Sequence, residues 1–337
     1  MKKILLIIIL IFIHVLVFTQ DENDFIFDRR GTITGYVGLE TIVVIPDRIG
    51  DIPVTIIGNN AFRDKGLSNV TIPDSIISIG RNAFRENQLT SVTITNCVIT
   101  IGSGAFADNQ LTFVAIPDNV TSIDALAFYN NRLITVEIGK GVFSIGNAAF
   151  ASNQLTHVTI PDNVSSIGSA AFQDNKLISS TISNSITVIS NSAFADNRLS
   201  FIHIPNSVVF IDGYAFSGNQ LRSVIIPGNI SVESMAFTDN PLTRITIGDN
   251  VAFICTHGYP SFPNRFDNFY VMNGNKDGTY VFRDGSWIMM LEEEPIAVIP
   301  NNIQTEQTMD IFLVNAVANQ TDENANTTAI LVLCLCG

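Results

Sequence analysis

The side chains that could do chemistry in this 337-residue sequence fall into five groups. His157 and His203 could serve as general bases if an acid oriented them beside a hydroxyl, the arrangement of nucleophilic hydrolysis. Glu137 could act on a glycosidic bond only with a second carboxylate held several ångströms away. Aspartates recur at fixed steps, among them Asp64, Asp108, Asp174 and Asp239 in one series and Asp74, Asp118, Asp162 and Asp249 in another, and stacked carboxylates could hold Ca²⁺. Cys97, Cys255, Cys334 and Cys336 lack the paired spacing of a four-ligand zinc site. Aromatic residues crowd between Tyr259 and Trp287, where rings could stack on sugars.

Which of these side chains can work together depends on the elements that carry them, and a short repeat sets those elements. The dipeptide Ala-Phe recurs every 22 residues from Ala61-Phe62 to Ala215-Phe216, and once more after 21 residues at Ala236-Phe237. A Leu follows five residues after each Phe, from Leu67 to Leu242. Beyond each Leu the apolar positions fall at +3, +5, +9 and +12, as in Val70, Ile72, Ile76 and Ile79; one copy lapses at +3, where Ser180 replaces the aliphatic. The +3/+5 alternation of Val and Ile predicts a short strand from the Leu onward, usually stopped by a proline such as Pro73, Pro117, Pro161, Pro205 or Pro227. A second extended piece ends in Ile-Gly, as at Ile79-Gly80 and Ile167-Gly168, and a tight corner then carries Ala-Phe. A unit this short, carrying that proline, cannot hold the helix pair of an ankyrin or tetratricopeptide repeat.

Each unit is therefore one coil of a β-rich solenoid. A lone coil would leave both flat faces wet, whereas neighbours stacked about 4.8 Å apart cover those faces and pair their strands in parallel. The phenylalanines become one internal column. The Asn two residues before the Leu, from Asn87 to Asn240, is placed to bond backbone groups at the corner and form a second internal ladder.

The unit Ala-Phe-x-Asp-Asn-x-Leu-Thr-x-Val-x-Ile-Pro-Asp-x-Val-x-x-Ile, read at Ala105 to Ile123, resembles the BspA-type leucine-rich repeat of bacterial surface proteins, also called the Treponema-type repeat. The opening segment, Gly31 to Tyr36, then Ile45-Pro46, then Pro53 to Gly58, is similar to that family's N-terminal coil, so the resemblance spans residues 31 to 257. The family usually has Cys two residues before the Leu; here the position holds Asn in eight of nine copies and Lys65 in the first. The resemblance implies a right-handed leucine-rich-repeat solenoid of nine to ten coils with parallel strands and terminal caps. It also implies surface display, with adhesion to host or matrix proteins and co-aggregation.

Outside the repeats the chain changes character. Lys2 and Lys3 precede an apolar run from Ile4 to Phe18, and Gln20 to Asp24 restore polarity, the pattern of a secretory signal peptide. At about 1.5 Å per residue such a run spans roughly 22 Å, short of a hydrocarbon core, so a cleaved leader is expected and a stable membrane span only if the leader stays uncleaved. The predicted organisation is a signal peptide over 1–20, an N-terminal cap and first coil over 21–60, repeats over 61–257, an aromatic cap over 258–287 and a tail of no assignable fold over 288–337. Phe269-Tyr270 through Gly278-Thr279-Tyr280 to Trp287 read as a capping β-hairpin, required because a solenoid end is an open edge. Cys97 and Cys255 fall about seven coils apart, too far for a disulfide.

Composition narrows the function. A formal charge of -13 repels phosphate backbones and argues against nucleic-acid binding. The strand positions facing away from the core, +1, +2 and +4, hold mostly Ser and Thr, and no acid is expected beside His157 or His203, which argues against hydrolysis. The aspartate series are interrupted by Asn130, Ser152, Lys140 and Gly228 and read as turn residues bonded to their own backbone, with no metal or cofactor expected. What stands out on this face is Phe113, His157, Phe201, His203, Arg222 and Arg244, a set suited to recognising a protein ligand. The sequence thus points to a secreted or cell-surface, non-enzymatic recognition protein, with an envelope-layer element or a carbohydrate binder seated in the aromatic cap as the alternatives.

Overall fold

The computed structural model describes residues 21–254 and 260–290, so the leader over 1–20, Tyr259, Cys255 and the tail from 291 onward lie outside the described residues. The repeats form a β-solenoid of about ten turns with parallel strands.

The phenylalanine of each repeat lies at the centre, fully buried, and its ring stacks on the next: Phe62 on Phe84 at 5.2 Å, Phe128 on Phe150 at 5.4 Å, Phe194 on Phe216 at 5.7 Å. The stack extends past the repeats at both ends, to Tyr36 (5.5 Å from Phe62) and to Phe262 (4.9 Å from Phe237), neither of which sits in an Ala-Phe dipeptide. The corner that delivers each ring is tight. The residue before Ala-Phe adopts a left-handed backbone even where it is not glycine, as at Leu126 (φ 61°), Ala148 (φ 51°) and Tyr214 (φ 59°). Successive corners are tied by bonds such as Phe62 N–H to the Ala83 carbonyl at 2.8 Å.

The asparagine ladder runs beside this stack. Buried Asn109 accepts the Leu89 N–H of the preceding coil at 3.1 Å and donates to the carbonyls of Phe84 and Phe106 at 2.9 and 3.1 Å, and the same pattern recurs at Asn153, Asn197 and Asn240. Each amide therefore satisfies backbone groups of two coils that no water reaches.

The long sheet is not where the Leu strands predict it. Eight strands, from the antiparallel pair Phe25–Phe27 and Thr32–Tyr36 to Ser166–Ile167, are joined through the two-residue pieces that precede the corner, such as Ser78–Ile79 and Ser144–Ile145. Glycine follows most of these pieces where the coils approach closely: a Cβ on Gly80 would stand 2.8 Å from the Asn59 backbone nitrogen, and one on Gly168 2.5 Å from that of Asn147, while Asp124 holds the same position in a coil that pairs on both sides. The sheet divides after Ser166–Ile167, where Ser190 of the next coil bonds the Ile167 carbonyl through its hydroxyl at 2.5 Å, and resumes as four strands from Val188–Ile189 to Ala252–Ile254. The Leu strands pair only in twos, as Phe113–Ile116 with Thr135–Ile138 and His157–Thr159 with Ser179–Thr181, while residues 89–94 and 199–204 form no strand. Proline does not decide this, since Thr95 follows the unpaired segment 89–94, whereas Phe113–Ile116 and Ser223–Ile226 pair although Pro117 and Pro227 follow them.

The C-terminal region departs from the predicted hairpin. Phe266–Met272 is an α-helix, so Phe269 and Tyr270 are helical, and the hairpin is the later pair Gly278–Arg283 and Ser286–Met289. Phe266 and Tyr270 stand one helical turn apart, which brings both rings onto Phe253 and Tyr280. The first hairpin strand lies antiparallel against Arg244–Ile247, covering the end of the Leu-strand side. Buried Asp267 accepts the Ser261 and Phe262 N–H groups at 3.0 and 3.2 Å and so holds the turn that sets Phe262 on the ring stack.

Candidate functional site

The register of the coils places the expected recognition residues. Phe113 pairs with Thr135, His157 with Ser179 and Ser223 with Arg244, so position +2 forms one column in which Phe113, His157, Phe201 and Arg244 occupy alternate coils, separated by Thr135, Ser179 and Ser223. Side chains two coils apart are roughly 10 Å apart, far enough that a small residue between them leaves each large one standing clear. Phe113 is 44% exposed and Phe201 59% exposed. His203 lies at +4 on the same extended segment as Phe201, and Arg222 at +1 on the next coil; both are exposed. Exposed Ile134, Ile178 and Ile225 flank the column. The face is thus an irregular row of apolar and cationic side chains on a small-residue background.

One expectation about this face fails. Glu137, at +4 of the coil before His157, lies on the same face, and both side chains line a groove of about 720 Å³ with Lys140 and Asp162. His157 Nδ1 lies 3.1 Å from the hydroxyl of its neighbour Thr156, and no ion pair joins it to Glu137 among the described residues. The acid is diagonal to the imidazole and does not orient it. The signal in the sequence was Gly139-Lys140-Gly141, which replaces the proline-led turn of other coils.

Two carboxyls do meet elsewhere. Asp212 and Glu233 sit on successive coils, at the end of the long-sheet side, and the Gly213 N–H donates to both at 2.7 and 3.3 Å. The hydrogen bond that protonated Glu233 donates to Asp212, then partial burial and the neighbouring negative charge, raise the Glu233 pKa above the ordinary carboxylate value. Carboxyls within hydrogen-bond reach of each other leave no room for a sugar; glycoside hydrolysis needs about 5 Å or more between them.

The first aspartate series carries backbone geometry. Asp64, Asp108, Asp174, Asp196 and Asp239 all adopt left-handed φ of 53–57°, which Asp tolerates better than most residues, so the conformation explains them without bonds to their own backbone. Their carboxylates bond the neighbouring coil: Asp108 accepts from Asn130 at 2.8 Å and Arg85 at 3.0 Å, and Asp174 from Ser152 at 3.1 Å. No cluster of three or more metal-ligating side chains occurs among the described residues.

Among the described residues, most rings of the aromatic cap are turned inward, with Phe269 and Phe282 partly buried. Phe262, Phe266, Tyr270, Tyr280 and Trp287 are all buried, packed edge to face or tilted on one another, so the rings that the composition suggested for sugars form the core of the cap. Among the described residues no helix is long and apolar enough to cross a membrane, and Cys97 is an exposed free thiol.

The repeat pattern matches the family described as BspA type leucine rich repeat region, in six copies, over residues 43–155 and 143–264. Among solved structures, the chain is similar to a leucine-rich cell surface protein from Faecalibacterium prausnitzii, with 22% identity over 70% of this chain and 95% of that one and a TM-score of 0.34. A leucine-rich repeat protein from Bacteroides ovatus is 18% identical over 70% of this chain and 77% of that one, with a TM-score of 0.41. The pneumococcal vaccine antigen PcpA is 20% identical over 65% of this chain and 76% of that one, with a TM-score of 0.40. No curated protein matches the sequence.

Proposed function

Because the chain belongs to the BspA-type leucine-rich repeat family, we propose that it is an exported, non-enzymatic recognition protein that binds a host, matrix or neighbouring-cell protein through its Leu-strand face. The observation that carries this reading is the column of Phe113, His157, Phe201 and Arg244, with two rings left 44% and 59% exposed on a background of Ser and Thr. Aromatic and arginine side chains dominate the binding energy of protein interfaces, and a small-residue surround lets a partner close around each one. The family's surface display and the basic, apolar start of the sequence support a location outside the cell or on its surface. The test is saturable binding of the purified chain to immobilised extracellular-matrix and host-cell surface proteins, repeated with Phe201→Ser, His203→Ser and Arg222→Ser combined. Loss of about 2 kcal/mol, roughly 30-fold in Kd, is expected. Absence of saturable binding, or an unchanged Kd in the triple variant, overturns the reading.

A second reading, a structural element of the cell envelope that packs against copies of itself, is favoured by one feature. Ile77, Ile99, Phe143 and Val209 stand 44–53% exposed on the long-sheet side. Sedimentation at rising concentration tests it, and a monomer throughout removes it.

A further inference from the structure

The Leu-strand face is split at one place where two successive coils both form strands. Thr135–Ile138 pairs with Phe113–Ile116 on one side, and His157–Thr159 pairs with Ser179–Thr181 on the other, yet no ladder joins Thr135–Ile138 to His157–Thr159. The cause is the turn that follows the first strand. A side chain on Gly139 or Gly141 would collide with the Pro117 or Asp118 carbonyl, and the Lys140 N–H donates to Asp118 at 2.8 Å, so this turn closes down on the preceding coil and away from the next. The opening is bounded at both ends, by the Thr156 N–H on the Ile134 carbonyl at 3.3 Å and by the Asn163 amide on the Lys140 carbonyl at 2.5 Å.

Core is laid open as a result. Val136 and Ile138 occupy the +3 and +5 positions that Val114 and Ile116 fill one coil earlier at 0% and 3% exposure, but here both are only half-buried. They line a slot of about 720 Å³ whose rim carries Glu137, Lys140, His157 and Asp162.

We propose that this slot is a docking site for an extended segment of a protein partner, which inserts an aliphatic or aromatic side chain over Val136 and Ile138 and sets an adjacent Lys or Arg against Glu137 and Asp162. Three observations select that occupant. The floor is aliphatic and of a size for one or two side chains. The rim holds two carboxylates against one ammonium in a chain of net charge -13, which favours a cationic neighbour. The strand edges across the slot are not hydrogen-bonded to each other, which leaves backbone groups for a peptide main chain and gives a hydrocarbon nothing to pair with. The proposal rests on the reading of the chain as a protein-recognition module, and places one contact at a different part of the face from Phe201.

The test is selection of a displayed library of random peptides of about 12 residues on the full chain, followed by Kd measurement of the enriched peptides, synthesised singly, on variants. Enrichment of an aromatic or aliphatic residue within two positions of Arg or Lys is expected. Affinity should fall about tenfold or more in Glu137→Lys/Asp162→Lys, and also in Val136→Phe, which fills the slot, while Phe201→Ser leaves it within about twofold. The charge reversal is a surface change, so it reports even if the filled variant folds poorly. The proposal is overturned by no enrichment above an uncoated surface, by acidic consensus peptides, by equal affinity for the charge-reversed variant, or by a neutral hydrocarbon probe competing with the peptide at the same site. Loss of matrix-protein binding on Phe201 substitution with seam peptides unaffected, or the reverse, separates this proposal from the reading beneath it.

Discussion

The side-chain oxygen of Asn131 accepts the backbone N–H of Leu111, twenty residues earlier and one coil away, at 3.0 Å. Its amide nitrogen meanwhile donates to the carbonyls of Phe106 in the preceding coil and Phe128 in its own, at 2.9 and 3.2 Å. A single buried side chain therefore closes polar groups of two coils at the edge of the phenylalanine stack. Removing it as Asn131→Ala leaves the buried Leu111 N–H without its acceptor, at about 1–3 kcal/mol, while the Phe106 carbonyl keeps the Asn109 amide and the Phe128 carbonyl that of Asn153. We expect a loss of about 1–3 kcal/mol, read by denaturant titration. Asn131→Asp keeps the acceptor but turns a buried charge toward two carbonyls, so it should be at least as damaging at neutral pH and milder in acid. A loss below about 0.5 kcal/mol in both variants would show the ladder to be ornamental.

Ser180 is the one +3 position where the aliphatic is lost, and its hydroxyl is buried without a hydrogen-bond partner. Ser180→Val should stabilise the chain by about 1 kcal/mol, by removing an unpaired hydroxyl and adding apolar contact beside Val158, its partner across the ladder. A melting temperature unchanged or lowered by this substitution counts against the account.

Leu126 holds a left-handed backbone, φ 61°, which a branched L-residue adopts at a cost. Leu126→Gly should relieve about 1 kcal/mol of that strain and lose part of it to greater chain freedom in the unfolded state, for a net gain of about 0.5 kcal/mol. The opposite change, Gly104→Ala at φ 65°, puts a methyl against the Asn82 side chain and should destabilise by about 1 kcal/mol or more. Thermal melts of the pair, in opposite directions, are the check.

Asp212 raises the Glu233 pKa through their shared hydrogen bond, with partial burial adding to it. The folded state therefore holds this proton more tightly than the unfolded state does. Its contribution is fully present below the ordinary carboxylate value and is lost as pH rises through the raised folded value. Glu233→Gln should make the chain more stable near pH 7 by about 0.5 kcal/mol, little changed at pH 4, and should flatten the profile between. Urea unfolding at the two pH values gives the answer, and a parallel offset at both would contradict the shared-proton pair.

The repeat made most of the architecture legible. Phe at a fixed step demands a ring column, Asn two residues before Leu demands backbone partners, and Val or Ile alternation demands a strand with one face inward; these are local constraints, and periodicity multiplies them until no other fold satisfies them all. The recognition column was legible for the same reason, because a residue's place in the unit fixes which way it points. Which strands pair was not legible, since a ladder depends on whether two backbones can approach: Gly80 and Gly168 mark close approaches, yet Asp124 and Asp212 hold the same place in coils that pair on both sides.

The ends and the seam were decided in three dimensions. Phe262 joins the ring stack only because Asp267 pins its turn, and Phe269 and Tyr270 become helical because Phe266 and Tyr270 together fill the space over Phe253 and Tyr280. Aromatic composition alone could equally describe a surface that binds sugar; burial made it a core. The opening between Thr135–Ile138 and His157–Thr159 likewise follows from a turn leaning on its neighbour; Gly139-Lys140-Gly141 marks that turn in the sequence, but that the coils part there is a packing event. The amino-acid order by itself determined the coil, its inward face and its outward column, since those need only the chain's own spacing. Closure of one coil on the next, and the place where it fails, required the contacts that only the stacked structure contains.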